Sequence, residues 1–177
     1  MMNNKLLDSA IRKVPDFPRP GILFYDITGI LANPEAFRFC IDELSALARS
    51  SGAGALAAIE SRGFVFAAPV ADRCGLPLIL VRKKGKLPGA TVSRSFALEY
   101  GEDHIEVQKL ELEKPRRIFI IDDLLATGGT MEATVNVFRE HGSEITAVGA
   151  VVGLPFLGYG KVLAGIPVHA LLNYETE

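Results

Sequence analysis

The sequence predicts an α/β fold, a central and mainly parallel sheet flanked by helices. Three observations carry that prediction. Short apolar runs alternate with helical segments along the whole chain. The runs are almost continuously apolar, the pattern of strands covered on both faces. The chain has 177 residues, of which 49% are apolar and 23% charged. That fits one domain, residues 1–177, able to bury about 70% of its unfolded surface.

Residues 4–13 read as a short amphipathic helix, and Asp16 to Gly21 as a proline-punctuated loop. Asn33-Pro34-Glu35 starts a helix, because Asn caps and Pro suits the first turn. Phe37, Ile41, Leu44 and Ala48 follow at helical spacing on one face, and Gly52 stops the helix. Ala53 to Ile59 reads as a buried strand, and Arg62 to Arg73 as a second helix containing Pro69. Pro77 to Val81 is a strand, and Arg82 to Gly89 a basic loop with two glycines. Phe96–Tyr100 and Ile105–Lys109 read as short strands. Arg117 to Ile121 is a buried strand. Thr130 to His141 is a helix closed by Gly142. Ile145–Val152 and Val168–Leu172 complete the set.

Composition narrows the partners. Formal charge is −2, against the strongly basic balance of a duplex nucleic-acid binder. The N-terminus lacks the apolar stretch of a signal peptide, and no window is long and apolar enough to span a membrane. A cytoplasmic protein with no nucleic-acid or membrane partner is expected. Cys40 and Cys74 are too few for a disulfide scaffold and read as small reduced hydrophobes. No metal-ligand cluster contains His104, His141 or His169, which read as surface or structural residues. The 17 glycines are numerous for this length, so their positions matter.

In a parallel sheet, ligands sit beyond the carboxyl ends of the strands. The most informative run there is I-I-D-D-L-L-A-T-G-G-T, residues 120–130. A buried strand ends in Asp122-Asp123, and Thr127-Gly128-Gly129-Thr130 opens a helix. The glycines let backbone N–H groups approach a ligand, the helix start adds free donors, and the threonines add hydroxyls. Together they suit a phosphate dianion. The adjacent carboxylates suit vicinal ribose hydroxyls or a divalent cation. The spacing matches the reach of a ribose 5-phosphate. T-G-G-T alone is also an ordinary capped turn; the whole run is far more specific. No Gly-Lys-Ser/Thr follows the glycines, so this is no Walker loop.

This run resembles the phosphoribosyl pyrophosphate (PRPP) signature of the type I phosphoribosyltransferases. Three further runs resemble the adenine-specific subfamily: F-P-R-P-G-I-L-F-Y-D-I-T (17–28), E-S-R-G-F (60–64) and R-K-K-G-K-L-P-G (82–89) with L-E-Y-G (98–101). The resemblance covers nearly the whole chain. It implies a type I phosphoribosyltransferase-like fold with an N-terminal hood, about 1–33, and a flexible catalytic loop, about 82–104. It implies the conversion of adenine and PRPP to AMP and pyrophosphate with Mg²⁺, in a homodimer. The alternatives are a phosphoribosyltransferase for another base, or a PRPP- or purine-sensing regulator of the same fold. The hood at 17–28 argues against the first. The absence of a basic helix-turn-helix argues against the second.

The resemblance also assigns roles. Asp122 and Asp123 hold the ribose hydroxyls, and Ala126, Thr127, Gly128, Gly129 and Thr130 the 5-phosphate. Arg62, in a loop with an expected strained or cis peptide at Glu60–Ser61, meets the pyrophosphate with Lys83 and Lys86. Those lysines belong to a cluster with Arg82 and Lys84, and in subfamily dimers such loop residues can lie near the neighbouring site. Glu99 is the acid/base residue facing the purine, with Tyr100 near the leaving group. Main-chain groups of Leu23 and Tyr25 read the adenine edge, and Phe24 and Leu124 sandwich the ring. Tyr25 stands where many members carry Arg. No residue ligates Mg²⁺ directly; the metal is held mainly through PRPP.

Overall fold

The computed structural model describes residues 2–98, 101–114 and 116–176. In chain order it gives α1 (Met2–Ala10), β1 (Arg12–Pro15), β2 (Leu23–Asp26), α2 (Thr28–Leu31), α3 (Pro34–Ser50), β3 (Ala55–Ile59) and α4 (Gly63–Cys74). Next come β4 (Leu78–Lys83), β5 (Thr91–Leu98), β6 (Gly101–Gln108), α5 (Lys109–Leu112), β7 (Arg117–Leu125) and α6 (Gly129–Glu140). The chain ends with β8 (Glu144–Gly153), a 3₁₀ turn (Pro155–Leu157), α7 (Tyr159–Val162) and β9 (Val168–Asn173).

Seven strands form one sheet in the order β5-β6-β4-β3-β7-β8-β9. β4, β3, β7, β8 and β9 run parallel, and β6 and β5 join antiparallel at the β4 edge. The mainly parallel α/β class is therefore the one the sequence predicted.

Side chains alternate across the sheet, as strand geometry requires. Leu56, Ala58, Phe119 and Ile121 face α3 and α4, where they pack with Leu44, Phe66 and Val70. Ala55, Ala57, Ile59, Ile118 and Ile120 face the other way, onto α6 through Met131, Val135 and Phe138. Both faces are covered, so β3 is buried at every position. A fully buried phenylalanine such as Phe119 contributes about 1.5–3 kcal/mol by leaving water, and truncating it to Ala costs about 3–5 kcal/mol.

The α3 start is as read. The Asn33 side chain accepts from the Glu35 and Ala36 amides at 3.1 and 3.2 Å, with Pro34 in the first turn. Its buried face carries Ala36, Cys40, Ile41, Leu44 and Ala48. Burial pushes the Cys40 thiol up to about 12, which keeps it protonated and inert.

Four boundaries differ from the sequence reading. The first helix stops at Ala10, and Arg12–Pro15 pairs with Leu23–Asp26 as a two-stranded hairpin. Residues 12–15 are exposed on all four positions, so no apolar pattern marks them. Arg82 and Lys83 belong to β4, not to the basic loop, because they pair with Glu106 and Ile105. β5 begins at Thr91, five residues before the expected strand. Its inward set is Val92, Arg94 and Phe96, and the charged middle member hides the alternation. β7 runs past Ile121 to Leu125, so both aspartates lie inside the strand.

Candidate active site

The carboxyl ends of β3, β4 and β7 meet at one side of the sheet. From β3 the chain crosses through α4 to β4 on one flank, while β7 lies on the other. β3 and β7 thus bracket the point where the winding reverses, the usual ligand crevice of such sheets.

A cleft of about 300 Å³ opens there. Glu60, Arg62, Lys83, Asp122, Asp123 and Leu124 line it, together with Phe96 and Asp103. A smaller hollow of about 100 Å³ adjoins it, lined by Ala126, Thr127, Gly128, Gly129, Thr130 and Leu124. Thr130 borders both spaces, as do Asp122 and Leu124.

The hollow is a turn between β7 and the N-terminus of α6. Gly128 takes φ +89°, the left-handed region where a side chain is strained. A Cβ there would also sit 3.1 Å from Cβ of Tyr159. Beyond the turn, α6 offers unpaired backbone N–H groups and the positive end of its dipole. This arrangement suits a phosphate-sized anion.

The two aspartates are close-packed. Asp123 donates its amide to Oδ1 of Asp122 at 2.8 Å. Gly63, the first residue of α4, brings that helix so close that a Cβ would lie 3.0 Å from the same oxygen. Burial pushes the Asp122 carboxyl well above the usual carboxylate range, and the Asp123 charge beside it acts in the same direction. The Arg62 cation opposes both. Asp123 is itself buried, and Arg62 Nε donates to its Oδ2 at 2.6 Å. Arg62 also lies 5.6 Å from the Phe24 ring centroid, a cation–π distance. This contact sets Phe24, on β2, beside an arginine that lines the cleft.

Tyr25 points elsewhere. It is 3% exposed and stacks on Tyr174 at 4.3 Å, in the core cluster that also holds α1 and α3. Leu23 and Phe24 are partly covered on the same strand.

The cations divide. Lys83 faces the cleft and pairs with Asp103 at 3.0 Å. Lys86 is exposed and does not line the cleft. Arg82, part of the predicted cation cluster, turns to Glu60 instead, with Nε 2.7 Å from Oε2. The Glu60–Ser61 peptide is cis. Glu99 and Tyr100 lie outside the described residues. Among the described residues, no group of three His, Cys, Asp or Glu side chains could hold a metal by itself. His141 Nδ1 lies 2.8 Å from the Val137 carbonyl, within its own helix, and His104 offers its carbonyl to the Lys84 amide.

Sequence reasoning missed Asp103, Phe96 and the side chain of Glu60 at this cleft. Asp103 and Phe96 arrive on the β5–β6 hairpin, whose register no local pattern discloses. Glu60 was visible within E-S-R-G-F, but a lone glutamate before an arginine carries no signal of its own.

Known proteins share this layout. The Phosphoribosyl transferase domain matches residues 27–154. An adenine phosphoribosyltransferase from Treponema denticola is 52% identical over 177 residues, covering 100% of this chain and 93% of the relative. One from Rhodospirillum rubrum is 44% identical, covering 96% of this chain and 99% of its own. The crystal structure of adenine phosphoribosyltransferase from Thermoanaerobacter pseudethanolicus superposes with TM-score 0.92 at 38% identity, covering 96% and 99% of the two chains. That of the Saccharomyces cerevisiae enzyme, complexed with adenine and an imino-altritol bisphosphate, gives 0.90 at 32% identity over 97% and 99%. Similarity of this extent, over nearly every residue and through the whole sheet, settles the lineage: the chain belongs to the adenine phosphoribosyltransferases, of type I phosphoribosyltransferase fold.

Proposed function

We propose that the chain transfers the phosphoribosyl group of PRPP to adenine, giving AMP and pyrophosphate in purine salvage. The observation that carries this is the joining of the Asp122–Asp123 pair to the 126–130 turn in one continuous crevice. A diol acceptor beside a phosphate cradle matches a ribose 5-phosphate. Arg62 and Lys83, across the crevice, match a pyrophosphate on the anomeric carbon.

The chemistry follows from those positions. The 5-phosphate anchors in the turn from Ala126 to Thr130. Asp122 and Asp123 accept from the ribose hydroxyls and fix the sugar's orientation. As the bond to pyrophosphate lengthens, positive charge grows on the anomeric carbon, and Arg62 and Lys83 neutralise the departing anion. A purine imidazole nitrogen then attacks, with Glu99 handling the proton and Tyr100 packing near the leaving group. Phe24 and Leu124 hold the ring. Peptide groups of Leu23 and Tyr25 read its edge, one C=O accepting from the exocyclic amine and one N–H donating to a ring nitrogen. An oxo-purine would leave both buried groups unpaired. Lys86, from its exposed turn, serves the pyrophosphate of this or the neighbouring subunit.

The carboxylates of Asp122 and Asp123 are hard oxygen donors of the kind Mg²⁺ favours, so they fit a cation that arrives with PRPP and keeps most of its ligands on PRPP and water. Bound in that way, Mg²⁺ offsets charge on the pyrophosphate.

We read residues 1–177 as one domain, with a hood over about 1–33 and a loop over about 82–104 that closes on the substrates and excludes water. We also read the enzyme as a cytoplasmic homodimer. Among the described residues no helix is long and apolar enough to cross a membrane. Incubation of the full chain with adenine, PRPP and Mg²⁺ should yield AMP, with hypoxanthine, xanthine and orotate left unconverted. Product from another base but none from adenine would overturn the assignment.

A further inference from the structure

Two segments carry the cations of the cleft: the 60–64 loop after β3, with Arg62, and the 83–86 turn after β4, with Lys83. The turn is exposed from Lys83 to Lys86, and the loop passes at Gly63 and Phe64 into the packed start of α4. Both are tied down by charged side chains to which the reaction gives no task.

The first tie is Glu106, on β6. It is only 7% exposed, an unusual burial for a glutamate. Its Oε2 accepts from the Gly85 amide at 3.0 Å, at the centre of the turn. The second tie is Arg82. Its register partner across the β4–β6 ladder is Glu106, so the two side chains leave the same face. Arg82 donates through Nε to Glu60 at 2.7 Å and through a terminal nitrogen to the Lys86 carbonyl at 3.0 Å. The turn is thus gripped at Gly85 and at Lys86. Through Arg82, the same grip reaches the residue that begins the 60–64 loop. The Glu60 side chain is 12% exposed and that of Arg82 34%, so the carboxylate is the shielded end of the pair.

We infer that Glu106 and the Glu60–Arg82 pair are positioning residues, a brace that holds the 60–64 loop and the 83–86 turn at one fixed separation. This rests on the reading of the cleft as a PRPP site. Arg82 acts through the two segments and does not itself meet the anion. The brace fixes the segments of Arg62 and Lys83 relative to each other before the ligand arrives. Without it the turn loses its tie to the loop, and part of the ordering falls on the binding step.

The test is calorimetric binding of inorganic pyrophosphate with Mg²⁺ to the full chain, with steady-state AMP formation measured separately. Glu106→Ala should weaken pyrophosphate about tenfold, the scale of one hydrogen bond to a charged group. Glu106→Gln keeps an acceptor for the Gly85 amide and should recover most of that loss. The KM for adenine should stay unchanged in both. Unchanged pyrophosphate affinity in Glu106→Ala, or an equal shift in adenine KM, would overturn the inference.

Should Glu106→Ala fail to fold, a cycle on the pair decides. Glu60→Gln and Arg82→Gln should each weaken pyrophosphate, Arg82→Gln more because it also frees Lys86, and the double variant should be no weaker than Arg82→Gln. Losses that multiply in the double variant would show Arg82 acting on the anion alone, and the brace would be refuted. Pyrophosphate binding needs no adenine, so absence of AMP formation would sink the proposed activity without touching this result. Absence of pyrophosphate binding by the unaltered chain would sink the brace.

Discussion

Asp122 is a residue whose burial costs stability at a position we propose for binding ribose. Its carboxyl is held above the ordinary range by burial and by Asp123, so the folded state resists its ionisation. Asp122→Asn removes that conflict while keeping an oxygen for the Asp123 amide. We expect its melting temperature at pH 8 to rise, by about 2–4 °C per kcal/mol recovered. PRPP affinity should fall in the same variant, because a neutral amide is a weaker partner for the ribose hydroxyls. Differential scanning calorimetry and PRPP titration read the two effects; a variant that neither gains stability nor loses PRPP binding contradicts the assignment. For Glu99, Ala should lower turnover by about 10²–10⁴, the usual scale for an acid/base group, and a stopped assay with saturating substrates would expose an idle residue.

At the scale of elements, legibility followed the range of the interactions. The turn into α6 could be read because every part of it is local: Asp122 to Thr130 are contiguous, and glycines mark the turn. Gly128→Ala should therefore be costly. The left-handed backbone and the approach to Tyr159 together predict a loss of about 1–3 kcal/mol and weaker PRPP binding. Urea unfolding checks the first, and an unshifted midpoint would contradict it. The β1–β2 hairpin was not legible, since its strands are short, β1 is exposed throughout, and its register pairs residues eight to fourteen apart. β5 escaped for a related reason: Arg94, at an inward-facing position, pairs with Glu140 on α6, a partner 46 residues away. Arg82 was legible as a cation but not in its task, because Glu60 adjoins it only once β3 and β4 are paired.

The molecule as a whole gathers its functional charge at one end of the sheet and leaves the core apolar. Its pH response should therefore be set at the cleft. The Asp122 pKa is raised on folding, so the fold binds this proton more tightly than the unfolded chain does. That contribution is fully present below the ordinary Asp value of about 3.9 and is lost as pH rises through the higher folded value. Stability should decline with rising pH across that window in the natural chain, and should not do so in Asp122→Asn. PRPP affinity should move oppositely, rising as the carboxyl ionises. Because PRPP's own phosphates titrate nearby, the difference between the natural chain and Asp122→Asn is the quantity to compare. Identical pH profiles for the two proteins would remove Asp122 from the account.

One consequence of the buried Tyr25 side chain reaches into how this enzyme can change over evolutionary time. Its ring is committed to Tyr174, so, on the proposed reading, strand β2 meets the base here through its peptide groups. Peptide groups are the same whatever residue carries them. On the proposed reading, position 25 should therefore tolerate other residues that fill its packing space without altering how the base edge is read.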